Sequence, residues 1–239
     1  MRPVKSLKGK KVAIIGLGQS QIDYVVGVEN SIEYDEIWGI NSAAAVFNLD
    51  RLFMLDPVSR FLDTDDAGMQ TNVMRKILPK LKIPIYSCQT DSRAPEVVEY
   101  PLEDVINGTK CAYLNNTVAY AIAFASWCKV GQLDLFGLDY SYKNNLHFAE
   151  AGRACVEFWI SKCISENIII GSSAKSSLLD QNVNLEERLY GYHRLADPKI
   201  AMPTSDKWLV CNKSDLEAKM KENNIEVVEQ ISSPEPYKG

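Results

Sequence analysis

The stretch Lys11-Val-Ala-Ile-Ile15-Gly16-Leu-Gly18-Gln-Ser20 decides the fold. A short apolar run rich in β-branched residues meets two glycines one residue apart, and a mixed segment of helical length follows. That is a strand, a tight turn and a helix. The alternation continues down the chain. Asp35-Glu-Ile-Trp-Gly-Ile40 reads as a second strand ending at Asn41, and Arg51-Leu-Phe-Met-Leu55 as a third ending at Asp56-Pro57. A helix is expected over Gln70 to Leu81 and a short strand at Pro84-Ile-Tyr86. Asn116-Thr117 reads as an N-cap before an apolar helix from Val118 to Lys129, with Gly131 as its stop. A strand from Leu133 to Leu138, a polar loop Ser141-Tyr-Lys-Asn-Asn-Leu-His147-Phe, a helix from about Gly152 to Glu166 and a strand Ile168-Ile-Ile170 complete the series.

Strands this apolar have no wet face, and strands alternating with helices imply a parallel sheet covered on both sides. The expected fold is α/β, a Rossmann-like parallel sheet with helices on both faces, spanning about residues 8 to 180. Residues 1–184 form the expected main domain. Residues 185–239 form a lid segment, polar and aromatic from Leu185 to Pro203, and a small extension with a strand, a capped helix from Ser214 to Asn223 and a last strand Ile225-Glu-Val-Val228.

At 239 residues, with 46% apolar and 24% charged positions, the chain can bury one substantial core. No apolar run reaches membrane-spanning length and no signal peptide opens the sequence, so the expected location is the cytoplasm, a host's if the protein is viral. Cys88, Cys111, Cys128, Cys155, Cys163 and Cys211 contain no CxxC pair, lie mostly in apolar settings and read as reduced core residues. A net charge of -5 argues against a chain devoted to clamping nucleic acid. The first eleven residues nevertheless hold Arg2, Lys5, Lys8, Lys10 and Lys11 with no acid between them.

In a parallel α/β sheet, ligands bind beyond the carboxyl ends of the strands. One of the chain's two histidines, His147, falls in the loop after such a strand, where an imidazole can take a proton from an acceptor hydroxyl. The turn Gly16-Leu-Gly18-Gln-Ser20-Gln21 resembles a dinucleotide-binding loop, whose glycines let the backbone approach phosphates. It lacks the third glycine, replaced by Gln21, and the second strand ends at Asn41 where an NAD fold places a ribose-binding carboxylate. A mononucleotide suits it better, with Ser20 as an added donor and Asn41 reading a base or ribose edge.

These residues resemble the bacterial sialyltransferases of glycosyltransferase family 42. Ile15-Gly-Leu-Gly18-Gln-Ser20 is similar to the family's Gly-Asn-Gly-Pro-Ser loop, and Gly-Ile-Asn41 to its Arg-Cys-Asn strand end. Asn115-Asn116-Thr117 stands where the family has Thr-Ser-Gly, and Phe136-Gly137-Leu-Asp139-Tyr140 resembles its Gly-Ile-Asp-Phe-Tyr. His147 precedes Val156-Glu-Phe158 at the family's interval between catalytic histidine and Leu-Glu-Phe helix, and Ser176-Ser-Leu-Leu179 resembles an Asn-Ser-Leu-Leu segment. The likeness covers roughly residues 11 to 180. It departs at Leu17 and Gln19, where the family has Asn and Pro.

The resemblance implies an inverting transfer from a CMP- or UDP-linked sugar, without a required metal. His147 would be the base, and Tyr190, Tyr192 or Arg194 would stabilise the leaving group. Gly16, Leu17, Gly18, Ser20, Asn41, Asp56, Asn116, Thr117, Gly137, Asp139 and Tyr140 would line the donor site. Asp63-Thr-Asp65-Asp66 has the Asp-x-Asp spacing with which many glycosyltransferases hold a divalent cation, or is a solvated acidic loop. The acceptor expected first is a hydroxymethylated base in phage DNA, met by the basic leader and the Arg188 to Arg194 stretch; a glycan or lipooligosaccharide is the alternative. A metal-dependent pyrophosphokinase, sharing a glycine turn and a Gly-x-Asp strand end, and a non-catalytic nucleotide-binding module remain the competing readings. The sequence leaves the oligomeric state open.

Overall fold

A computed structural model describes residues 5–141, 145–204 and 207–225. The chain divides into two compact units, Met1–Leu179 and Asp180–Gly239. The first unit contains β1 (Lys11–Ile15), α1 (Ile22–Glu29), β2 (Glu36–Ile40), β3 (Arg51–Phe53), α2 (Val58–Leu62), α3 (Met69–Ile77), β4 (Ile85–Ser87) and β5 (Val97–Glu99). It continues through α4 (Leu102–Thr109), α5 (Thr117–Cys128), β6 (Gln132–Phe136), α6 (Leu146–Ser165) and β7 (Ile169–Ser172). The strands form one seven-stranded sheet in the order β5-β4-β3-β2-β1-β6-β7, with every pairing parallel. This is the Rossmann-like α/β fold that the alternating pattern implies.

Alternation along β1 divides the core. Val12 and Ile14 face the larger cluster, built with Val105 of α4, Ala121 to Ala125 of α5 and Val156, Trp159 and Ile160 of α6. Ala13 and Ile15 face Tyr24 of α1. Further along that second face, Leu52 and Ile85 meet Val58 and Phe61 of α2 and Met74 of α3. β1 to β4 are therefore apolar on both sides, as covered parallel strands require. On the larger face Phe53 stacks on Tyr86 at 4.9 Å, and Phe124 of α5 lies 4.8 Å from the same ring. Burial pushes the Cys163 thiol up to about 12 and raises that of Cys155.

Several boundaries differ from the sequence reading. β3 stops at Phe53 and α3 at Ile77, because Leu78 to Lys80 continue only as a turn. α5 ends at Lys129 in the left-handed conformation, φ 58°, two residues before Gly131; a lysine does here what glycine usually does. α2, β5 and α4 were not read at all. The largest change is α6, which begins at Leu146 rather than near Gly152. Asn145 supplies the reason: its side-chain oxygen accepts the Phe148 N–H at 3.2 Å and caps the helix six residues early.

In the second unit β8 (Lys199–Pro203) and β9 (Trp208–Asn212) form an antiparallel hairpin, followed by α7 (Leu216–Glu222). Ser214 does not cap α7; its hydroxyl donates to Asp197 at 2.6 Å, and Asp215 holds the cap position. The strand expected at Ile225 to Val228 falls almost wholly outside the described residues. No helix among the described residues is long and apolar enough to cross a membrane.

Several interior tyrosines are held neutral. Burial raises Tyr100 well above the usual phenol range, and burial followed by the charge of Asp134 raises Tyr34 in the same direction. A raised phenol stabilises the folded chain fully below the unfolded value of about 10 and ceases to as pH rises through the higher folded value. We expect the last part of the tyrosinate absorbance, from the interior tyrosines, to appear together with loss of helical circular dichroism above pH about 10. Complete ionisation of the tyrosines in a still-helical chain would contradict this.

Candidate active site

The sheet order reverses between β1 and β6, so the crevice beyond those two carboxyl ends is the place where this topology accepts a ligand. Here the chain brings its two glycine turns together. Gly16 N–H donates to the Phe136 carbonyl and Gly18 N–H to that of Gly137, both at 2.8 Å, which prolongs the β1–β6 pairing past the strands. A Cβ on Gly16 would stand 2.5 Å from the Gly137 oxygen, and one on Gly18 would stand 2.5 Å from the Asp139 carboxylate. Gly137 itself has φ 67°, and a Cβ there would meet the Gly16 carbonyl oxygen at 2.7 Å. The glycines are required by one another's backbones.

Ser20 locks this crossing. It is fully buried; its hydroxyl accepts the Gly137 N–H at 2.8 Å and donates to Asp139, whose other oxygen accepts the Ser20 N–H at 2.9 Å. The amides of Gly16, Gly18 and Ser20 thus point into β6 and its turn, and the phosphate cradle suggested by the glycine spacing is closed at those three donors. Leu17, between the glycines, is exposed.

Asn41 differs from this framework. It follows β2 with φ 49°, a backbone conformation that asparagine tolerates at some cost, and its buried Oδ1 has no hydrogen-bond partner among the described residues. Buried carbonyl oxygens without partners are rare. Asp56, after β3, has its carboxylate held by Arg60 at 2.5 Å.

A second group of the expected residues collects where α5 and α6 begin. Asn116 caps α5, accepting the Ala119 N–H at 3.1 Å, and its amide donates to Asn115 at 2.8 Å and to the Gly152 carbonyl at 3.2 Å. Asn115 donates to the Ala151 carbonyl at 3.0 Å. Thr117, the first residue of α5, makes no hydrogen bond through its hydroxyl among the described residues. Tyr140, at φ 48°, lays its ring on α6, where a Cβ on Gly152 would come within 2.9 Å of it. His147 is exposed in the first turn of α6, about 6 Å along the axis from Ala151, and hydrogen-bonds to no described residue. It stands on a capped helix and not in the polar loop, which fixes its Cα to the carboxyl edge of the sheet.

Tyr190, Tyr192 and Arg194 belong to the second unit, where Tyr190 and Tyr192 are exposed and the Arg194 guanidinium lies 5.5 Å from the Tyr190 ring centre. Arg188, expected to meet DNA phosphates, donates instead to the carbonyls of Val183 and Gln181. Of the basic leader, Arg2 lies outside the described residues, Lys10 pairs with Asp35 at 2.7 Å, and Lys11 sits over the Tyr34 ring. The acidic loop is also engaged: Asp63 pairs with Arg93, Asp65 with Arg75 and Asp66 with Arg60. No group of three or more metal-ligating side chains occurs among the described residues.

One tie at this edge has no counterpart in the sequence reading. Lys175, after β7, pairs with Asp23 in the first turn of α1 at 2.9 Å, and the Ser173 hydroxyl donates to the other oxygen of Asp23. The partners are about 150 residues apart and carry no motif. Beside them Ser176 and Ser177 donate to the carbonyls of Leu138 at 2.8 Å and Asp139 at 2.7 Å, so the Ser-Ser-Leu-Leu segment braces the β6 turn.

The fold is a seven-stranded parallel α/β domain whose switch point lies between β1 and β6. No protein-family model matches the chain, and no curated protein matches it in sequence. Two solved structures of the sialyltransferase CstII from Campylobacter jejuni are similar to it. One, in complex with the substrate analogue CMP-3FNeuAc, has a TM-score of 0.45 and 16% identity over 90% of this chain and 99% of that one. The other, in complex with cytidine-5'-monophosphate, has a TM-score of 0.41 and 17% identity over 71% and 82%. These likenesses assign no residue of this chain a role.

Ser20→Ala would leave the Gly137 N–H without its acceptor and Asp139 without one of its two donors. We expect a loss of about 1–3 kcal/mol of stability, read as a melting temperature lower by several degrees. A melting temperature equal to wild type would show that the clamp does not hold the crossing.

Proposed function

We propose that this chain is an inverting glycosyltransferase that moves a sugar from a CMP- or UDP-linked donor to an acceptor hydroxyl. The observation that carries the reading is Asn41, whose buried oxygen after β2 has no hydrogen-bond partner among the described residues and is free to accept an N–H or O–H from a ligand beyond the strand ends. A nucleoside provides such donors on its base and ribose. The resemblance of the glycine turn, the Asn41 strand end and the His147 spacing to family 42 supports the choice of chemistry.

The residues divide into frame and reactants. Gly16, Gly18, Ser20, Gly137, Asp139 and Asn116 hold the backbone, while Asn41, Leu17, Thr117, Tyr140 and His147 face the donor and acceptor. His147 takes the acceptor proton as the acceptor oxygen attacks the anomeric carbon. The bond from that carbon to the phosphate oxygen breaks, and the nucleotide leaves with the electron pair. The acceptor alcohol is taken as a sugar hydroxyl in a glycan; the inward bonds of Arg188 give a DNA acceptor no support.

The test is donor turnover in the presence of EDTA, by wild type and His147→Ala. We expect wild type to release nucleotide from one CMP- or UDP-sugar, and the variant to bind that donor as tightly while turning over about a hundredfold slower or less. Binding of ATP with magnesium alone would replace this reading with phosphotransfer, and donor binding without turnover by any acceptor would leave a binding module.

A further inference from the structure

A phosphate in the β1–β6 crevice needs N–H donors or positive charge. The amides of Gly16, Gly18 and Ser20 are already given to Phe136, Gly137 and Asp139, so charge has to come from a side chain. Lys175 is placed to supply it. Its ammonium is held 2.9 Å from Asp23 in the first turn of α1, the helix into which the glycine turn runs, and its side chain is 32% exposed. Ser173 secures the arrangement from both ends: its hydroxyl donates to the second oxygen of Asp23 and accepts the Lys175 N–H at 3.1 Å.

Asp23 therefore has both oxygens engaged, whereas Lys175 uses one of an ammonium's three N–H donors among the described residues and has two to offer. The other cations at this edge are committed more fully. Arg60 serves Asp56 and Asp66, and Arg93 grips Asp63 and Asp91. Arg153 reaches the Ser177 carbonyl at 3.4 Å and lies 3.7 Å from Glu157. Resting on the nucleotide-sugar reading, we infer that Lys175 binds the donor phosphate, with Asp23 and Ser173 as the residues that position it.

Calorimetric titration of the full chain with CMP and UDP, against cytidine and uridine, tests this. Lys175→Gln is expected to weaken binding of the preferred nucleotide by about ten- to a hundredfold while leaving the matching nucleoside unchanged; Lys175→Arg should recover part of the loss. Asp23→Asn should lower the nucleotide-to-nucleoside preference by a smaller factor, and it keeps the test open if Lys175→Gln does not fold. Equal weakening of nucleotide and nucleoside would mean that Lys175 is structural, and no change in either would mean that the phosphate lies elsewhere; each overturns the inference. Failure of the wild type to bind any of the four ligands would overturn the nucleotide-sugar reading itself.

Discussion

The contact on which the rest depends is the backbone crossing of Gly16–Gly18 over Gly137, closed by Ser20 and Asp139. β1 lies inside the sheet, and it separates the four strands running outward to β5 from the later pair β6 and β7. Anything that splays the ends of β1 and β6 opens the crevice and displaces α1 and α6 together. The absence of a side chain at three positions allows two strand ends to touch. One buried hydroxyl after β1, accepting from Gly137 and donating to Asp139, ties it to the turn after β6.

The sheet was legible because its signal is local. Lys11–Ile15, Asp35–Ile40 and Leu133–Leu138 are short apolar runs closed by turn residues, and a covered parallel strand has no other way to appear. Asn116 could be read as a cap because asparagine before an apolar helix has few other uses. The start of α6 was missed for a related reason: Ser141 to Phe148 is polar enough to pass for a loop, and Asn145 is one of several capping residues within it. β5 and α4 escaped because three strand residues beside prolines, and a helix containing Asn107 and Gly108, carry little periodicity.

The glycine spacing pointed to the carboxyl ends of β1 and β6, yet the same glycines are explained by backbone approaching backbone, a contact made 120 or so residues away that no local pattern encodes. Ser20, Asp139 and Asn116 were found as site residues, and each turns its polar atoms inward. Asn41 was recognised as a strand end; its strain and its unpartnered oxygen are visible only in three dimensions. Charge follows the same rule. The acidic run at Asp63 to Asp66 meets arginines from α2, α3 and the loop before β5, and Lys175 meets Asp23 across two strands.

The central claim is that a nucleotide occupies the switch-point crevice and satisfies Asn41. A crystal structure with CMP or UDP bound tests it most directly. The account predicts the nucleoside beyond the carboxyl ends of β1 and β2, with one of its N–H or O–H groups donating to Asn41 Oδ1. Nucleotide bound elsewhere on the chain, with Asn41 still unpartnered, would contradict it.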